Sequence, residues 1–100
     1  MSFDGDFYSH PARFVRDELK LAGYTISTAA AAMLIDRSIL NDALNERMPI
    51  SRDLAYRLDA LLNSAETDDL ARLLIEWQAR NDWRVEAHSR EAIRAAIRGK

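Results

Sequence analysis

Between Ser27 and Leu44 the chain reads STAAAAMLIDRSILNDAL, and no other stretch restricts the fold as strongly. Apolar residues recur at helical spacing on both sides of a break only a few residues long, around Leu34 to Asp36. Thr25 or Ser27 is suited to cap the first segment, which runs through the alanines to about Leu34. Asp36 is suited to cap the second, which ends near Asn45. Two short helices joined so tightly must cross steeply, and alanine lets one backbone come close to the other. Alanine-rich helices also pack well in other settings, so this stretch selects a geometry before it selects a function.

The flanking segments carry similar punctuation. HPARFVRDELKLAG places Pro11 at a first helical position and Gly23 at a helix end, with Phe14, Val15, Leu19 and Ala22 at helical spacing. After Asn45, Pro49 breaks the chain and Ser51 caps a fourth helix, RDLAYRLDALL, striped by Leu54, Leu58, Leu61 and Leu62. Asn63 and Ser64 end it. A fifth helix is predicted from Thr67 or Asp68, with Asp68 and Asp69 favourably placed in its first turn, carrying Leu70, Leu73, Leu74 and Trp77. Ser89 caps a short last helix, REAIRAAIRGK, and His88 falls in the turn before it. Only three Gly and two Pro interrupt the chain. The expectation is an all-α fold of five to six helices, with residues 1–9 as a flexible arm bearing Phe3, Phe7 and Tyr8, a helix-turn-helix domain over 10–64 and a helical extension over 65–100.

One hundred residues, 48% of them apolar, suffice for one small domain. The absence of cysteine excludes disulfides and thiolate metal sites and leans towards a reducing cytoplasm. No apolar run approaches the roughly 20 residues of a membrane helix, and the acidic start MSFDGDFYSH is unlike a signal peptide. The net charge of −2 conceals an asymmetry. Residues 1–82 hold fourteen acidic and nine basic side chains, a balance of −5, whereas residues 83–100 hold two acidic and five basic, a balance of +3.

From His10 to Ser64 the chain resembles the helix-turn-helix antitoxins of the HigA/VapI type in the Xre/Cro repressor superfamily, which share the lambda-repressor-like architecture. His10-Pro11 matches the His-Pro that opens the family's first helix, and RDELKLAG its amphipathic continuation ending in Gly. DRSIL matches a recognition helix that typically reads Ser-Arg-Ser-Thr-Leu, and NERMPIS matches the loop Asn-Gly-Lys-Arg-Pro-Ile-Ser. AYRL matches Ala-x-Arg-Leu, and beyond an insertion WQARNDW is similar to the family's Leu-Gln-x-x-Tyr-Asp-Leu. The likeness covers about 75 of the 100 residues. Leu34 stands where the family usually has its turn glycine, so the turn is expected to form without a φ > 0 residue. Asp36 replaces a common Ser, Glu46 the loop glycine and Met48 a cation.

With the third helix in a major groove, Leu40, Ala43 and Leu44 face inward while Arg37, Ser38, Ile39, Asn41 and Asp42 face out. Arg37 then suits a guanine edge or a phosphate, Asn41 an adenine edge, Ile39 a thymine methyl and Asp42 a cytosine amino group. Ser38, Thr28 and the loop cation Arg47 suit phosphates. The competing reading makes Arg37 and Asn41 ordinary solvated residues and Asp42 a repelling charge.

Arg90, Arg94 and Arg98 form a basic edge on the last helix, beside an apolar edge of Ile93 and Ile97. Docking on its own domain is the first expectation for such a helix, and partner binding the second. Trp77 and Trp83 either pack the fifth helix onto the first or anchor a homodimer; dimerisation is favoured, through Leu74, Trp77, Trp83, Ile93 and Ile97. Neither His10 nor His88 has a second ligand near it in sequence, so no metal, no cofactor and no catalytic role is expected. The resemblance implies an operator-binding dimer that represses its own operon and blocks a small, basic, RelE-like ribonuclease toxin. The alternatives are a phage-type repressor without a toxin, and a protein-interaction module that keeps the shape and has lost DNA.

Overall fold

The computed structural model describes residues 10–63 and 67–99; the arm expected over residues 1–9 and the terminator Ser64 lie outside the described residues. Six helices follow one another: α1 (Pro11–Leu21), α2 (Ile26–Met33), α3 (Arg37–Leu44), α4 (Arg52–Leu62), α5 (Asp69–Val85) and α6 (Ala87–Arg98). Among the described residues there is no strand, and no helix is long and apolar enough to cross a membrane. The fold is all-α.

Three helices start on side chains that take up their unpaired N–H groups. His10 Nδ1 accepts from Ala12 N at 3.0 Å, with Pro11 following at the first helical position. Because only a neutral Nδ1 has a lone pair to offer, this cap requires an uncharged imidazole. Burial pushes His10 below the usual histidine pKa, although Glu46 and Asp82 pull it upward. Thr25 and Thr28 form a reciprocal capping box at the start of α2, and Ser51 Oγ accepts from Leu54 N at 3.1 Å at the start of α4. Asp36 departs from expectation: it occupies the cap position of α3, but its carboxylate makes no capping hydrogen bond.

The helix ends overturn a second expectation. At α1, Gly23 N donates to Lys20 O and Tyr24 N to Leu19 O, the paired bonds of a Schellman ending, with Gly23 at φ 84°. The same pair of bonds closes α2, Leu34 N to Ala31 O and Ile35 N to Ala30 O, with Leu34 at φ 61°. It recurs at α3, Glu46 N to Ala43 O and Arg47 N to Asp42 O, with Glu46 at φ 60°. The left-handed conformation is therefore adopted by Leu34 and Glu46, and the turn does use a φ > 0 residue. Holding a side chain there costs about 1–2 kcal/mol per position. A further bond supports the α2 end: Arg57, the arginine of AYRL, donates to Met33 O at 2.6 Å while pairing with Asp53 at 2.8 Å.

The core joins α1 to α5. Val15 and Leu19 of α1, Ala29, Ala30 and Met33 of α2, Leu40, Ala43 and Leu44 of α3, and Leu54, Ala55 and Leu58 of α4 form one buried cluster with Ala71 and Leu74 of α5. Only two of the four alanines in α2 serve the helix crossing, since Ala31 and Ala32 are exposed. Two polar ties fasten α5 to the rest. Buried Asp59 accepts from Ala71 N at 2.8 Å, and Gln78 Oε1 accepts from Ile50 N at 2.9 Å. Packing therefore crosses the expected boundary at residue 64, and α5 belongs to the same core as α1–α4.

Candidate nucleic-acid interface

The anchor of α3 is apolar and complete. Leu40 and Ala43 are fully buried and Leu44 nearly so, as the helical spacing predicted. Rotating away from that stripe, Arg37, Ser38 and Ile39 are exposed, and Asn41 and Asp42 are half-buried. Ile39 is 41% exposed, an apolar side chain held at the surface beside polar neighbours. Such a face offers a base-edge donor, a hydroxyl, a methyl-binding surface and an amide within two helical turns.

The polar residues differ in how tightly they are committed. Among the described residues, Arg37 makes no ion pair or side-chain hydrogen bond, so its guanidinium is available to a phosphate or a guanine edge. Asn41 is oriented: Asn45 Nδ2 donates to Asn41 O at 2.8 Å and to Asn41 Oδ1 at 3.2 Å. Asn45 is itself held by Arg16 of α1, whose Nη2 donates to its Oδ1 at 3.2 Å. Arg47 sits 3.5 Å from Asp42, with the two side chains 68% and 43% exposed. A pair so open to water contributes little and can exchange readily for a phosphate. Thr28 is exposed, but its Oγ1 already accepts from Thr25 N at 2.8 Å, so its first duty is to the capping box.

Asn45 and Arg16 were not singled out from the sequence. Arg16 lies 29 residues from Asn45 and reaches it only because α1 packs beside the end of α3. The charge balance on this face is even: Arg16, Arg37 and Arg47 stand near Asp36, Asp42 and Glu46.

The residues expected at an interface between copies divide into two groups. Leu74 and Trp77 are 0% and 2% exposed, and the Trp77 ring lies 5.5 Å from that of Phe14 on α1. They are core residues that fasten α5 to α1, which corrects their assignment to an intermolecular surface. Trp83, Ile93 and Ile97 are 65%, 59% and 71% exposed. Helix α6 contributes no buried residue, so the expected docking of this helix on its own domain does not occur. It also begins earlier than expected, at Ala87 and without a side-chain cap, so that His88 and Ser89 are helical. Arg90 crosses the junction, stacking 3.4 Å over the Trp83 ring and donating to the Trp83 carbonyl.

Comparison of the chain with family models, with curated proteins and with solved structures returns no match.

Proposed function

We propose that this protein is a sequence-specific binder of double-stranded DNA that acts as the antitoxin and autorepressor of a toxin-antitoxin operon. The observation that carries the reading is the α2–turn–α3 unit. Its buried stripe anchors α3, its two ends keep left-handed residues without glycine, and its outer face leaves Arg37, Ser38 and Ile39 open. Retaining two strained positions argues for a geometry with a purpose. The fragments that carry the family likeness support the same reading, because several hold structural posts: His10 caps α1, Arg57 closes α2, and Gln78 secures Ile50 in the loop before α4.

In this reading Arg37 and Asn41 specify bases, Ile39 meets a thymine methyl, and Ser38, Thr28 and Arg47 position the duplex. A homodimer supplies two half-sites in the cytoplasm, and a small basic toxin is the protein partner. Affinity per protomer is modest because the face is charge-balanced. A gel-shift titration on the DNA preceding the protein's own reading frame tests the proposal. About six phosphate contacts per dimer give a slope near −5 for log affinity against log salt. No binding to any duplex at low salt refutes it. That result would favour the protein-interaction reading, which Asp36, Asp42 and Glu46 around α3 keep open.

A further inference from the structure

We propose that α6 is an exchanged element: the α6 of each protomer lies in the α4/α5 furrow of a second copy of this chain, reciprocally. Two depressions that share Tyr56, Asp68 and Ala71 run together along α4 and α5, one continuing to Ala60 and the other to Ile75 and Glu76. Tyr56 is 53% exposed within this furrow and Ile75 is half-buried. Helix α6 presents the complement, with Ile93 and Ile97 on an apolar edge and Arg94 and Arg98 beside it. The furrow has a small acidic excess, with Asp59, Asp68 and Glu76 beside Arg52 and Arg72, and residues 83–100 carry +3. A 12-residue helix without a buried side chain is marginal by itself, so α6 gains from cover.

Connectivity excludes the chain's own furrow. Only Glu86 separates α5 from α6, and folding back on α5 takes a loop of roughly 2–5 residues. The Arg90–Trp83 clasp further holds α6 across the end of α5. A second copy has no such constraint, and two-fold symmetry lets both unions form at once.

The experiment needs no DNA, so it stands or fails separately from operator binding. Sedimentation of the full chain should show a dimer. Tyr56→Arg in the furrow and the double variant Ile93→Asp, Ile97→Asp in α6 should each give monomers of unchanged helicity. An equimolar mixture of the two should regain a weaker heterodimer, because one union survives. A wild-type monomer at the highest attainable concentration, or no heterodimer in the mixture, overturns the proposal. So does a Tyr56→Arg variant that remains fully dimeric, which would mean α6 pairs with α6. The chain has no cysteine, which permits a second measurement. Oxidising a mixture of Ala60→Cys and Ala96→Cys chains should yield mainly the mixed disulfide; a preference for the Ala96→Cys homodimer refutes the exchange.

Discussion

Replacing Asp59 with alanine tests how firmly α5 is built into the domain. Asp59 is 8% exposed and its carboxylate accepts from Ala71 N at 2.8 Å, in the first turn of α5. It thereby does in trans what Asp68 does not, since Asp68 stands at the cap position without a side-chain bond. Truncation leaves the Ala71 N–H buried and unpaired, which costs about 1–3 kcal/mol. It also removes a negative charge from a helix N-terminus, a further loss of about 0.3–2 kcal/mol. The expected destabilisation is about 2–4 kcal/mol, a large share of the ~5–15 kcal/mol available to a small domain. Thermal unfolding followed by circular dichroism should place the midpoint roughly 8–30 °C lower, at about 4–8 °C per kcal/mol. Asp59→Asn keeps an acceptor and loses only the charge, so it should cost about 1 kcal/mol. An alanine variant within about 0.5 kcal/mol of wild type would refute the reasoning, because surface-like values belong to residues without a buried partner.

Five other substitutions have defined outcomes. His10 caps α1 as a neutral imidazole and its pKa is lowered by burial, so its contribution to stability is present above the unfolded value near 6.5 and is lost as the pH falls below it; His10→Asn keeps a capping acceptor and should flatten the fall in stability below about pH 6.5, read from denaturant midpoints. Leu34→Gly should raise stability by about 0.5–1 kcal/mol, because Leu34 is 84% exposed and glycine relieves the left-handed backbone at little packing cost; a fall in the urea midpoint would contradict this. In gel shifts, Arg37→Ala should lose about 1–3 kcal/mol and relax discrimination at one base pair, whereas Arg47→Ala should weaken all sequences about equally. Asp42→Asn should tighten binding to any duplex, since it removes a repelled charge and frees Arg47 from its 3.5 Å partner; if both Arg37→Ala and Asp42→Asn leave binding unchanged, α3 is not in the groove.

Local features that act within a few residues were legible from the amino-acid order. Gly23, Thr25 and Ser51 mark helix ends because the groups they satisfy lie three positions away, and Pro11 marks one because the first helical position needs no N–H. The 3.6-residue repeat separated Leu40, Ala43 and Leu44 from Arg37, Ser38 and Ile39 for the same reason. Backbone choices at Leu34 and Glu46 were not legible, because side-chain preference alone argues against φ > 0 there. Surrounding bonds, including Arg57 from 24 residues away, hold that turn. The fate of the aromatic and apolar residues after Leu70 likewise required the third dimension. Trp77 and Trp83 look alike in the chain, yet the packing of α5 against α1 buries one beside Phe14 and leaves the other under Arg90 at the surface. Periodicity states which residues share a helix face; only the placement of neighbouring helices decides whether that face meets a core, and for α6 it meets none within the protomer.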